Sequence, residues 1–276
     1  RRFDIQADAT KDVKQGVSTM RNHVRQALCD GRPTFGTWIQ IGHPAVAEIL
    51  ANAGFDWIAA DCEHTDIGAS AFANLARAMG NTGTVPMVRV KENDTMAIRQ
   101  PLDMGAGGVI VPLVNSAPEA EKAVQAAKYP PRGIRGFAFH RGNCWGVDFD
   151  RYAATANEET AVIVMIESKA AVEAVEEILA VDGVDGAFIG PYDMSGSYGV
   201  PGETSHPLVN DACTAVVDAC RRLGKAAGIH VVLPESEAIE QAVAEGFTFI
   251  ALGVDTVFLD RSARSALATA KEVGSQ

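Results

Sequence analysis

Residues 161–199 read AVIVMIESKAAVEAVEEILAVDGVDGAFIGPYDMSGSYG and spell out one βαβ unit. Two short apolar runs, Ala161 to Ile166 and Gly186 to Ile189, flank a helix-like run from Lys169 to Ala180, and each apolar run leads directly into a carboxylate, Glu167 or Asp193. Strands apolar on both faces belong in a parallel sheet covered by helices. If the two are neighbours in a barrel, both acids project from the same end of it. Like charges held a few ångströms apart raise one pKa unless a cation sits between them, so the economical reading of the pair is a metal site.

The same rhythm extends in both directions. Further strands are expected at Thr34 to Gln40, Trp57 to Asp61, Pro86 to Val90, Gly108 to Pro112, Ala226 to Val231 and Thr248 to Leu252, making eight in all. Helices between them carry punctuation: a capping box of Ser116 with Glu119, caps at Asp94 and Ser205, Pro207 in a first turn, and Gly54, Gly224 and Gly246 as stops. A leading helix, Met20 to Asp30, has no strand before it and is expected to plug the barrel floor. Eight βα units without a linker-like composition predict a single (β/α)8 barrel over residues 19–276, preceded by a flexible arm over residues 1–18. A doubly wound sheet is the weaker parse, because IQIGHPAV carries a lone glycine where GxGxxG would be needed.

Composition narrows the function classes. The chain has 276 residues, 47% hydrophobic, and a net charge of −11, which disfavours a nucleic-acid footprint but not an anionic substrate held by a local cation. No apolar run approaches the roughly 18 residues of a membrane span, and the N-terminal segment lacks the apolar core of a secretory signal. Five scattered cysteines without CxxC spacing argue against a disulfide framework or a zinc site and fit a reducing cytoplasm.

Barrel active sites sit at the C-terminal ends of strands, so the polar residues there are the candidates. They are Asp61, Glu63 and His64 after the second strand, Arg89 at the third, Glu167 after the fifth, and Gly190, Pro191 and Asp193 after the sixth, with Trp38 and His230 from the first and seventh. Oxygen-only ligation by Glu167 and Asp193 favours Mg²⁺ or Mn²⁺, with Co²⁺ also admissible, over zinc. Arg89 is read either as the structural partner of Glu63 or Asp61 or as a cation holding an oxyanion beside the metal. His64 is a candidate base, with Asp103 or Asp61 to orient it. Cys62, between two acids, reads as packing. The run of about thirty residues between Lys128 and Ala161, rich in Gly, aromatics and arginine, reads as a functional loop.

Taken together, GFDWIAADCEH, VPMVRV, PLDMGAGGVIVP, YPPRGIRG, MIES, VDGVDGAFIGPYDMS and ALGVDT, in this order, resemble the HpcH/HpaI-type class II pyruvate aldolases of the phosphoenolpyruvate/pyruvate superfamily. The resemblance runs from about Met20 to the C-terminus. It implies Glu167 and Asp193 as metal ligands, and the amides of Tyr192 and Asp193 as the receptor for the pyruvate carboxylate. Arg89 would stabilise the C2 oxygen, His64 paired with Asp103 would act as acid/base through water, and Trp38 with Val232 and Leu233 would form the wall facing the aldehyde. It further implies cleavage or formation of 4-hydroxy-2-oxo acids with pyruvate and an aldehyde as partners, a domain-swapped C-terminal helix, and a homo-oligomer, often a hexamer built as a trimer of dimers. Two departures stand out. Met165 occupies a position where many members carry glutamine, and FAFHRGNCWG is similar to variants acting on sugar acids, which would bring His140 and Arg141 to a distal substrate group, across a subunit boundary if need be. The rivals are a Schiff-base aldolase using Lys91 or Lys169, an acyl-CoA lyase of the same superfamily, and a catalytically silent binding barrel.

Overall fold

The computed structural model describes residues 22–80 and 82–274; the arm expected over residues 1–18 and the Met20 end of the leading helix lie outside the described residues. Eight strands close into a parallel barrel in chain order, with β1 completing the ring against β8. They are β1 (Thr34–Ile39), β2 (Trp57–Asp61), β3 (Val85–Arg89), β4 (Gly108–Val111), β5 (Ala161–Ile166), β6 (Gly186–Ile189), β7 (Ala226–Val231) and β8 (Phe249–Val254). The expected positions hold for all eight. The differences are a residue or so at the ends, most at β8, which runs on to Val254.

Helices α1 (His23–Cys29), α2 (Pro44–Asn52), α3 (Ala69–Ala78), α4 (Thr95–Asp103), α5 (Ala117–Ala127), α6 (Phe149–Glu159), α7 (Lys169–Glu173), α8 (Val175–Ala180), α9 (Pro191–Ser197), α10 (Pro207–Leu223), α11 (Ser236–Glu245) and α12 (Asp255–Gly274) surround them. The run from Lys169 to Ala180 is thus two short helices, broken at Ala174. Asp94 caps α4 by accepting from the amides of Met96 and Ala97, and Gly224 and Gly246 close α10 and α11 in the left-handed region, as expected. The capping box does not form: Ser116 makes no cap hydrogen bond, and Glu119 instead accepts from Asn115 N at 2.6 Å. His206, not Ser205, caps α10. Among the described residues no helix is long and apolar enough to cross a membrane.

Two apolar cores follow from the alternation of strand side chains. One lies between barrel and helices; the other fills the barrel, where Trp57 stacks on Phe249 at 4.0 Å and Trp38 meets Phe188 edge-on at 5.4 Å. Gly36 is required for this filling, since a Cβ there would lie 2.0 Å from the Trp57 ring. The leading helix does close the floor, with Val24 and Leu28 joining the interior core. Arg25 pairs with Asp185 at 2.9 Å, and the Asn22 amide donates to Gly107 O and Glu159 O at 2.7 and 2.8 Å.

Because each helix returns antiparallel to its strand, strand C-termini form one face of the barrel, here the upper one, and helix C-termini the lower. The long run after α5 therefore starts on the lower face. It is a packed structure containing a 3-10 turn over Arg141–Gly146 and the helix α6. Lys128, fully buried at its root, donates to Asn157 O and Thr160 O, both at 2.6 Å, and burial pushes its pKa down to about 8.

Candidate active site

Asp61 and Arg89 end β2 and β3 as direct partners in the parallel register. Arg89 Nε donates to Asp61 Oδ1 at 3.0 Å and Nη2 to Oδ2 at 2.8 Å, a fork that fixes the guanidinium plane. Glu63 Oε2 lies 3.3 Å from Nε, and the Trp38 ring lies under the guanidinium, 4.9 Å from its centre. Asp61 is 1% exposed and also accepts from the amides of Glu63 and His64 and from Gln40 Nε2. Burial pushes its pKa up, but the Arg89 guanidinium and these donors outweigh that and hold it below the usual carboxylate range. Arg89 is thus paired with Asp61 and Glu63, as the structural reading expects, while Nη1 has no hydrogen-bond partner among the described residues.

Across the barrel mouth, Gly190 N donates to Ile166 O at 3.2 Å, which sets the residues after β5 and β6 side by side. Glu167 is buried, and its Oε1 accepts from Leu113 N at 2.7 Å. A Cβ on Gly190 would stand 3.1 Å from Glu167 Oε2 and 3.8 Å from Asp193 Oδ2, so the missing side chain keeps open a space faced by one oxygen of each acid. Burial raises the Glu167 pKa, the Leu113 amide opposes this, and Glu63 and Asp193 add to the rise. Burial likewise raises Glu63.

Four carboxylates against one guanidinium leave the mouth net negative, a poor receptor for an organic anion without a cation. Oxygen donors from Glu167 and Asp193 around an open cradle fit a hard divalent ion. Among the described residues no three His, Cys, Asp or Glu side chains are grouped to hold a metal, so the protein's share of such a site would be these two carboxylates, with water and substrate oxygens to complete the shell.

A cavity of about 520 Å³ opens beside this cradle, lined by Trp38, Gln40, Asp61, Arg89, Gly190, Pro191, Tyr192, Asp193, His230 and Val232 among others. The first hydrogen bond of α9 runs from Met194 N to Gly190 O at 2.9 Å, so the amides of Tyr192 and Asp193 precede the ladder and have no intrahelical acceptor. Leu233 is half exposed and does not line the cavity, unlike Val232. His64 sits on the rim with its side chain 60% exposed and Nε2 3.6 Å from Glu63 Oε2. Gln40, just past the end of β1 and two residues beyond Trp38, carried no signal of a site role in the sequence. It bridges Asp61 and Thr256, donating to Asp61 Oδ2 at 3.1 Å and accepting from Thr256 Oγ1 at 3.0 Å.

Three expected residues are elsewhere within this chain. Asp103 ends α4 and so belongs to the lower face, where it accepts from Arg135 Nη2 at 2.8 Å and faces His140 Nε2 at 3.5 Å; it does not pair with His64. His140 is buried against Tyr129 OH at 3.2 Å. Arg141 donates to Met104 O and Ala76 O, both at 3.0 Å, capping the C-terminal ends of α4 and α3. The run that carries His140 and Arg141 leaves the C-terminus of α5 and so starts at the end of the barrel opposite the mouth of its own chain.

Neither candidate lysine has a desolvated position: Lys91 and Lys169 are exposed, and Lys169 pairs with Glu173 at 3.8 Å. Asp255, at the start of α12, does not face solvent. It is buried, accepting from Gln40 N and Ile41 N at 2.9 and 2.8 Å. Burial raises the Cys62 thiol to about 12, consistent with packing.

The sequence model of the HpcH/HpaI aldolase/citrate lyase family matches residues 34–261. A hydroxypyruvate/pyruvate aldolase of Deinococcus radiodurans is 40% identical over 261 residues, covering 93% of this chain and 92% of that protein. A 4-hydroxy-2-oxo-heptane-1,7-dioate aldolase of Shigella sonnei is 39% identical over 93% of this chain and 97% of its own. Among solved structures, a HpcH/HpaI aldolase/citrate lyase family protein from Burkholderia cenocepacia superposes with a TM-score of 0.86 at 34% identity, covering 91% of this chain and 99% of that one.

Proposed function

The chain belongs to the HpcH/HpaI aldolase/citrate lyase family and is a carbon–carbon lyase of aldolase type, and from that premise we propose that it cleaves 4-hydroxy-2-oxo acids to pyruvate and an aldehyde, and joins them in reverse, in a reaction that depends on a divalent cation. The observation that carries this reading is the Gly190 cradle between Glu167 Oε2 and Asp193 Oδ2, opening on the cavity that Arg89 lines.

Glu167 and Asp193 would hold Mg²⁺, Mn²⁺ or Co²⁺, which supplies Lewis-acid polarisation of the 2-oxo group when bound. The chain's own residues account for the rest. Amides of Tyr192 and Asp193 at the start of α9 receive the substrate carboxylate. Arg89, its plane fixed by Asp61, turns Nη1 towards the C2 oxygen, on which negative charge grows as the C3–C4 bond breaks; a donor already oriented needs no reorganisation at that moment. The C4 hydroxyl must lose a proton as that bond breaks, and His64 on the rim takes it through water.

Asp103, His140 and Arg141 act, if they meet substrate, as residues of a second copy, since in their own chain they lie on the far face. Beyond its root α12 leaves Leu259, Leu267 and Val273 exposed, in keeping with a helix seated on another copy of this chain in a homo-oligomer.

Pyruvate release from a panel of 4-hydroxy-2-oxo acids, followed with lactate dehydrogenase, tests the reading. Chelator is expected to abolish release, and Mg²⁺, Mn²⁺ or Co²⁺ to restore it; release indifferent to chelator would move the chemistry to a lysine. A second test is Gly190→Ala. Its backbone, at φ −106°, accepts alanine, but the new Cβ would lie 3.0 Å from Glu167 Cβ. Overpacking of this kind costs about 1–3 kcal/mol. The variant should stay folded, require more metal for half-maximal activity, and turn over at least about tenfold more slowly, as when a ligand's support is disturbed.

A further inference from the structure

His230 is the one imidazole lining the cavity among the described residues, in a lining that joins the apolar Trp38, Phe188 and Val232 to the charged Arg89 and Asp61. It stands on β7 opposite Ala251 of β8, with its ring edge-on to Trp38 at 6.2 Å. A polar ring in an apolar wall costs stability unless its nitrogens are used. One of them is. Nε2 lies 3.0 Å from Gly253 O, and a carbonyl can only accept, so Nε2 carries the hydrogen. The same carbonyl takes the Thr37 hydroxyl at 3.2 Å, which holds it in place.

In the neutral ring this leaves Nδ1 as a bare acceptor. Burial keeps the ring neutral, pushing the pKa down to about 4 against the pull of Gly253 O and with Arg89 adding to the push. Nδ1 has no hydrogen-bond partner among the described residues, yet it is not one of the buried unpartnered atoms. It is therefore open to solvent in the cavity.

An acceptor fixed in an apolar wall suits a hydroxyl. It offers nothing to a methyl group and repels a carboxylate. Resting on the aldolase reading above, we propose that His230 is a specificity-determining residue whose Nδ1 accepts a hydrogen bond from a hydroxyl on the aldehyde half of the substrate, so that short hydroxyaldehydes are preferred over alkanals. Trp38 and Val232 supply the apolar contact, and His230 decides what may sit against it.

The test compares 4,5-dihydroxy-2-oxopentanoate with 4-hydroxy-2-oxohexanoate, which differ only by a hydroxyl in place of a methyl and release glycolaldehyde or propanal with the same pyruvate. The ratio of kcat/KM for the pair is independent of the active fraction of a preparation. His230→Gln can keep a donor near Gly253 O while losing the acceptor at Nδ1, whereas His230→Asn keeps an acceptor at the Nδ1 position and loses the donor. The Gln variant is expected to shift the ratio towards the hexanoate by roughly tenfold, the worth of one good hydrogen bond. The Asn variant should stay near the parent ratio. Gln and Asn variants that both keep the parent ratio would show a ring that serves only Gly253, and would overturn the proposal. Product inhibition in the unaltered protein tests it without any variant: glycolaldehyde should inhibit at lower concentration than propanal, and the reverse order overturns the assignment. If the unaltered protein releases pyruvate from neither of these acids nor from any other of the panel with any of the three metals, the 4-hydroxy-2-oxo acid reading fails and this proposal with it.

Discussion

Arg89→Ala is expected to lower kcat/KM for pyruvate release by about 10²–10³-fold, the usual loss when a preorganised donor to a developing oxyanion is removed. It should also destabilise the fold by about 3–5 kcal/mol, because it leaves Asp61 charged at 1% exposure with only amide donors for company. The two effects separate in the double variant Asp61→Asn with Arg89→Ala: stability should largely return and activity should not. Acid unfolding supplies a further readout. Since Asp61 titrates below its unfolded value of about 3.9, its contribution is present above that value and fades as pH falls through the depressed one. In the single variant the buried carboxylate lacks its cation and its pKa rises, so the stability gap between variant and parent should narrow as pH falls. Full activity in Arg89→Ala would remove the guanidinium from the chemistry and leave it a structural counter-ion.

The barrel was legible because its signal is periodic and local. Runs such as AVIVMI and GAFIG have no polar face to offer solvent, so each must be covered on both sides, and eight of them in alternation with helices leave few architectures. The cradle was legible for the same reason: Glu167 and Asp193 sit at or just beyond strand ends, where the fold itself dictates direction. Residues outside that rule could not be placed from the sequence. Asp103 and Arg141 lie in segments that look like the rest of the site in the sequence, but helix α4 and the turn after α5 carry them to the lower face. Side-chain partnerships were harder still. Nothing in LGVDT distinguishes an aspartate aimed at solvent from one that latches β1 to α12 through the amides of Gln40 and Ile41. His230 showed itself as a strand residue, but its tautomer depends on Gly253, a glycine at φ +60° on the neighbouring strand that the sequence does not tie to it.

Glu167→Gln should abolish metal-dependent pyruvate release and at the same time stabilise the metal-free protein. Disturbing a group that merely supports a metal ligand already costs 10–100-fold, so loss of the ligand should exceed about 10²-fold. The gain in stability has a separate origin. Glu167 is buried, holds one amide donor, and faces two further acids, all of which the neutral side chain would relieve while its carbonyl still accepts from Leu113 N. About 1–2 kcal/mol is a reasonable size for that relief, given what an under-satisfied buried charge costs. The sign with pH follows from the raised carboxyl pKa: the folded parent holds a proton that the unfolded chain has already lost. Its stability in chelator therefore declines as pH climbs from the ordinary carboxylate value through the raised one, and the Gln variant lacks that decline. Adding Mg²⁺ should reverse the order, because only the parent gains stability from binding it. Asp193→Asn, at an exposed side chain, should lose activity with little change in stability. Urea unfolding of the three proteins across pH, with chelator and with Mg²⁺, reads all of this. A Gln variant less stable than the parent in chelator would mean that the Glu167 charge serves the fold, and the cradle would lose its reason to attract a cation.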